Sequence, residues 1–135
     1  MAAQYSVAVR NAMLDAIETS VGASAKLRMF PGAPPANCGA ADSGTIIAEM
    51  SLPSDWLNNA SAGSKSKNGT WEDPTANNPG ILGHYRIYDT TFAVCHHQGT
   101  ITETSGGGDM EVDNNDVNAG QQIVVTAFQF NIGGA

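Results

Sequence analysis

Charge is scarce in this chain, and positive charge scarcest. Charged residues make up 14% of 135, and six Lys and Arg face thirteen Asp and Glu, for a net charge of −7. Nucleic-acid binding needs a basic stripe that displaces counterions from phosphate. The one close basic pair, Lys65 and Lys67, lies in a Ser/Gly/Asn stretch, so nucleic acid is not an expected partner. Long apolar runs are also missing. A spanning helix needs about 18 consecutive apolar residues, and no such run occurs. The opening "MAAQYSVAVRNAMLDAIETSVGASA" has no basic start, and Arg10, Asn11, Asp15 and Glu18 break its apolar residues. It is therefore not read as a secretion signal, and synthesis in a reducing cytoplasm is expected. Asn59-Ala60-Ser61 and Asn68-Gly69-Thr70 fit the glycosylation pattern but carry no weight without secretion. Cysteine is limited to Cys38 and Cys95. In a reducing compartment both are expected as free thiols acting as small hydrophobes, with a bridge between them as the alternative.

What is present fits one globular domain, residues 1–135. Hydrophobic residues make up 41%, which argues against disorder and is enough for a core without staples. Residues 5–21 read as a helix. Val9, Met13, Ile17 and Val21 form an apolar stripe with Leu14 beside it, and Asn11, Asp15 and Glu18 form a solvated back. Ser6 is the expected N-cap and Gly22 the expected stop.

Beyond Gly22 the pattern alternates with period two. "AKLRMF", "TIIAEMSL", a segment near Trp71, "GHYRIYD", "TFAVCHHQGTITET", "MEV" and "QQIVVTAFQFNI" read as strands. On "GHYRIYD", His84, Arg86 and Tyr88 share one face, and Tyr85 and Ile87 the other. Asp89-Thr90 is placed as a tight hairpin. "PGAPPANCGAADSG" is an irregular loop, because prolines remove donors and fix φ. The 57–80 stretch is the least regular, and "SGGGD" is a flexible loop. On the last strand Ile123, Val125, Ala127 and Phe130 do not keep one phase, whereas Val124, Thr126, Phe128, Phe130 and Ile132 do; its start is apolar on both sides, as expected in the middle of a sheet or sandwich. About seven strands with regular turn signals predict a mainly β fold with one N-terminal helix: an antiparallel β-sandwich or jelly-roll-like barrel.

One short stretch carries ligand-type residues, Cys95-His96-His97. On a regular strand Cys95 and His97 share a face and His96 takes the other. Cys95 and His97 would then be the only pair there able to meet, with Cys38 or His84 as possible additions. No CxxC or HxxxH spacing supports zinc. A mid-strand thiol also lacks the setting of a nucleophile. Asp109, Glu111, Asp113 and Asp116 cluster late in the chain but lack the phase and closing Glu of a calcium loop, and read as a solvated turn. Trp56, Trp71, Tyr85 and Tyr88 could stack sugars if exposed, but both tryptophans are expected in the core. No catalytic, cofactor or metal residue is assigned, no cofactor is expected, and the chain is not read as an enzyme.

Assembled, "MAAQYSVAVRNAMLDAIET", "LRMFPGAPPANC", "GHYRIYD" with "CHHQGTIT", and "GGGDMEVDN…AGQ" give the chain an overall layout that resembles small virion proteins of tailed phages and prophages. The resemblance implies a structural role in the virion: a capsid decoration, or cement, protein that bridges neighbouring capsid subunits. The alternatives are a small tail or head-tail connector component, or a carbohydrate-binding host-recognition module. The implied partners are the major capsid protein or other virion proteins, with a homotrimer or homodimer expected, and neither nucleic acid nor membrane. The N-terminal helix, the 31–36 loop and the 57–80 stretch are the expected contact segments.

Overall fold

The computed structural model describes residues 3–133. The helix α1 runs Val7–Val21. Ser6 caps it by accepting the Val9 N–H at 3.2 Å, and Gly22, at φ 97°, ends it by donating to Glu18 O. Both signals act as the sequence indicates. The packing face does not. Arg10, Leu14 and Val21 are the buried residues, while Val9 and Met13 are 46% and 42% exposed.

The supposed solvated back explains the rotation. Asn11, Asp15 and Glu18 accept the backbone N–H groups of Gly63, Ala60 and Leu57, each at 3.0 Å. The rungs run antiparallel, one per helical turn against every third residue of the facing segment. Lys65, only 1% exposed, reaches Asp15 at 2.8 Å and Glu18 at 3.6 Å, and Arg10 Nη1 donates to Ile132 O. Each buried donor left unmade costs about 1–3 kcal/mol. Two part-buried donors, at Leu57 and Gly63, and the buried Lys65 ammonium therefore weigh against the burial of two apolar side chains, with the more exposed Ala60 bond adding less. The helix docks through these polar side chains together with Leu14, Ile17 and Val21, and turns Val9 and Met13 outward.

Ten strands follow among the described residues: β1 Lys26–Phe30, β2 Ala48–Ser51, β3 Ser64–Ser66, β4 Glu72–Asp73, β5 Gly80–Ile81, β6 His84–Tyr88, β7 Cys95–Glu103, β8 Met110–Val112, β9 Asp116–Val117 and β10 Ile123–Asn131. The main sheet has the order β2-β1-β6-β7-β8-β10-β3, with β4 paired to the start of β10; β5 and β9 form a small second sheet. The irregular 57–80 stretch thus supplies β3 and β4. The main sheet curls until its ends meet: Glu49 N–H on β2 donates to the Asp73 carboxylate on β4 at 2.9 Å. Inside the curl lie Leu27, Met29, Trp56, Trp71, Tyr85 and Phe128, all buried.

The sheet is mixed, which corrects the antiparallel expectation. β7 and β8 run parallel, Ile101 opposite Met110 and Glu103 opposite Val112. Parallel neighbours ordinarily need a crossover of about a dozen residues. Here 104–109 is enough, because "SGGGD" folds back onto β7. Gly106 N–H donates to Glu103 O at 2.9 Å and Gly108 N–H to Thr102 Oγ1 at 3.0 Å. A Cβ on Gly106 would lie 2.6 Å from the Thr102 side chain. The Glu111 carboxylate also accepts the N–H groups of Ser105 and Gly107. The loop is pinned along its length.

Two bulges break the alternation. In β10 the register shifts between Val125 and Ala127, which moves burial from Ile123 and Val125 to Phe128 and Phe130. In β7, Ile87 faces His97 but Tyr88 faces Cys95, which leaves His96 as the extra residue. The strand begins only at Cys95. The expected two-residue hairpin at Asp89-Thr90 is a longer loop, closed by Asp89 N–H donating to Val94 O at 3.1 Å. The Asp89 carboxylate accepts the N–H groups of Thr91 and Ala93.

Candidate functional site

The densest polar cluster lies on one face of β6. The strand alternates as predicted, but all five of its residues are buried. The segment 31–44 lies across the face that carries His84, Arg86 and Tyr88. Three prolines leave that segment few donors of its own, and its carbonyls need partners. His84 Nδ1 donates to Gly32 O at 2.9 Å, and Gln98, on the adjacent β7, donates to Pro35 O at 2.7 Å. Arg86 Nη2 donates to Cys38 O at 2.8 Å and Ala40 O at 3.0 Å. Gly83 allows the approach: a Cβ there would lie 2.3 Å from Gly32 O. We call 31–44 the strap.

Asp42, at the far end of the strap, faces a problem of like charge. Arg28 on β1 and Arg86 on β6 are directly opposed in register, a destabilising arrangement on its own. Asp42 sits between them. Its Oδ1 accepts from Arg86 Nη1 at 2.6 Å and from the Tyr88 hydroxyl, and its Oδ2 lies 3.3 Å from Arg28 Nη1. Glu49 takes the other side of Arg28 at 2.7 Å. Burial works to raise the Asp42 carboxyl, but the Tyr88 and Arg86 hydrogen bonds and the two arginine charges hold it below its ordinary 3.8. Burial first, then the Asp42 carboxylate, push the Tyr88 hydroxyl up.

Beside this cluster is a cavity of about 470 Å³, walled by Cys38, Asp42, Arg86, Tyr88, Phe92 and Cys95 among others. Phe92 has φ 60°, a left-handed conformation that is strained for a bulky residue. Its ring lies 4.0 Å from the Arg28 guanidinium carbon and 5.5 Å from the Tyr88 ring. These contacts, with the Asp89 turn, hold it at the rim.

The β7 bulge overturns the expected pairing of Cys95 with His97. Facing Tyr88, Cys95 points to the strap side; facing Ile87, His97 points into the curl. His96 is exposed. Cys38 does join Cys95 at the cavity, whereas His84 is stacked on Phe30 at 5.0 Å. Neither imidazole is placed as a base for Cys95, whose thiol donates to the His97 carbonyl at 3.5 Å.

Inside the curl, His97 stacks on Tyr85 at 5.6 Å, its Nδ1 lies 3.2 Å from the Tyr85 hydroxyl, and its ring meets Phe130 at 4.8 Å. Burial pushes the imidazole below its ordinary 6.5, opposed by the Asp109 charge. The unfolded chain therefore binds this proton first. The resulting stability is complete above about pH 6.5 and is lost as pH falls through the lower folded value. The melting temperature is expected to fall between pH 7 and pH 5, a window clear of Asp42. His97→Phe, which keeps the packing, should flatten the curve there. An unchanged slope in melting scans across that range would refute the assignment.

The late carboxylates serve the fold. Asp109 accepts both the N–H and the hydroxyl of Thr100, and Asp113 accepts the Val124 N–H at 3.1 Å. Among the described residues no group of three or more His, Cys, Asp or Glu is arranged to hold a metal ion. Trp56, Trp71, Tyr85 and Tyr88 are all buried and offer no sugar platform. Comparison with known protein families, curated proteins and solved structures returns no match. The Arg86–Asp42 cluster fastens the strap to the sheet. Arg86 and Asp42 were missed as a unit because they lie far apart in sequence and share no motif.

Proposed function

We propose that the chain is a structural component of a tailed-phage virion, a capsid decoration protein that bridges neighbouring capsid subunits. One observation carries the assembly part of this reading. The helix α1 is held by polar rungs and presents Val9 and Met13 outward, next to a shallow groove of about 270 Å³ between Met13, Ala16, Ile17 and His96. Tyr5, 48% exposed, precedes it. An outward apolar face rimmed by polar residues suits a protein interface. The 31–36 loop and the 57–80 stretch keep exposed residues beside their internal bonds, among them Gly32, Ala33, Asn58, Asn59 and Gly69, and would add to the contact. The helix face supplies its apolar part, and a symmetric site on the shell would favour a trimer or dimer. The virion setting rests on the layout resemblance. For the fold, we read the curled sheet and its small companion as a β-sandwich of jelly-roll character.

A tail or head-tail component is the second reading, since the same helix face would serve a ring. Imaging of intact virions by cryo-microscopy separates the two: density repeating over the shell supports decoration, density at the neck or tail supports the second, and absence from virions refutes both. Val9→Asp with Met13→Asp is expected to cut binding to capsids at least tenfold. The same exposed changes should leave stability within about 0.5 kcal/mol. Full occupancy by the double variant would sink the helix-face assignment.

A further inference from the structure

We propose that Cys38 and Cys95 are a disulfide site, closed by exchange with a small disulfide oxidant, which fastens the strap covalently to β7. The two residues are remote in sequence, yet they wall the same cavity. Each is held there by a separate device. The His96 bulge turns Cys95 to the strap side, opposite Tyr88. Arg86 holds Cys38 by its carbonyl at 2.8 Å, and Asp42 anchors the same guanidinium at 2.6 Å. Both cysteines are free and half-buried, so a small reagent reaches them while a second protein is hindered. Burial and the neighbouring Cys38 thiol push the Cys95 thiol up to about 11, against the pull of the Arg86 charge. The thiolate that attacks in exchange is therefore scarce at neutral pH, and closure should speed up as pH rises.

The chemistry balances with oxidised glutathione as the oxidant. One protein thiolate attacks a glutathione sulfur; a mixed disulfide forms and one glutathione thiolate leaves and takes up a proton. The second protein thiolate attacks the protein sulfur of that mixed disulfide. The Cys38–Cys95 bond forms and the second glutathione leaves. The protein gives up two electrons and two protons, and glutathione disulfide is reduced by the same amount. The closed site would link the strap to the sheet at a point where only hydrogen bonds and one ion-pair cluster now hold it. The site does not depend on the virion reading, and its test does not involve assembly.

The experiment uses the full-length protein, reduced, desalted, incubated with oxidised glutathione, then acid-quenched and alkylated. The expected product is a monomer lighter by two hydrogen atoms, with no free thiol after denaturation and a linked peptide pair containing Cys38 and Cys95. Cleavage within 31–44 by a nonspecific protease should slow about tenfold relative to the reduced protein, because local opening of the strap is restrained. Cys38→Ser and Cys95→Ser should each take up one glutathione and gain no protection. Wild-type protein that accumulates two glutathiones, or that cross-links only between molecules, would overturn the assignment. Because the oxidation is done on the unaltered chain, the result does not depend on any variant folding.

Discussion

Asp42→Asn is expected to lower the melting temperature by about 10 °C, at roughly 3–5 °C per kcal/mol for a domain of this size. Breaking a buried ion pair by removing one partner costs about 3–5 kcal/mol, because the other charge is left uncompensated. Arg86 is only 1% exposed, while Asp42 keeps 31% of its side-chain surface in water. The loss therefore falls at the low end, about 3 kcal/mol. The amide retains the shape and one acceptor, so what disappears is the charge between two opposed arginines. The same change arrives with acid. A carboxyl whose folded value is depressed stabilises above its unfolded value, near 3.8 here, and that stability is lost as pH falls through the folded value. Arg86→Met alone should be costly for the converse reason. The double variant should recover part of the loss, since replacing both members of a buried pair is often tolerated. Additive losses in denaturant titrations of the three variants would show that the two residues do not act as a unit.

The strap shows what was and was not legible in the sequence. Alternation put His84, Arg86 and Tyr88 on one face of β6, and that is where they lie. The natural reading of such a face is solvent. What covers it is a loop whose only visible property is its prolines, and nothing in "PGAPPANCGAADSG" announces that its carbonyls will take side-chain donors from a strand more than forty residues later. The helix shows the converse error. Its caps, Ser6 and Gly22, depend on local chemistry and were readable. Its orientation depends on which backbone N–H groups of 57–63 need acceptors, and hydrophobic periodicity does not see these. The two bulges divide in the same way. In β10 the bulge shifts an apolar pattern, so the phase break between Val125 and Phe128 is written in the residues. In β7 it falls on His96, among residues with no apolar phase to break, and a regular strand wrongly joins Cys95 to His97.

Trp71→Ala is expected to cost about 3–5 kcal/mol, the range for truncating a large buried aromatic. The position is the centre of the aromatic stack. Its ring lies 5.9 Å from Trp56 and 5.3 Å from Phe128, and Phe128 in turn meets Tyr85 at 5.5 Å edge-on. The indole N–H donates to Asn68 O at 3.1 Å, and the Trp71 carbonyl accepts the Val125 N–H at 2.9 Å. Removing the ring leaves a void walled by rigid rings that cannot collapse into it, and frees the carbonyl that closes the Asn68-Gly69 turn. Trp71→Phe should recover most of the packing but not the hydrogen bond, leaving a deficit of about 1 kcal/mol. The same residue also discriminates between functions. A sugar-stacking role needs an exposed indole, and Trp56 and Trp71 are both fully buried. Their emission should stay blue-shifted and unmoved by added mono- or oligosaccharides. A red-shifted native spectrum that responds to sugar, with Trp71→Ala as stable as the parent, would place Trp71 at the surface and return the carbohydrate-binding reading to the front.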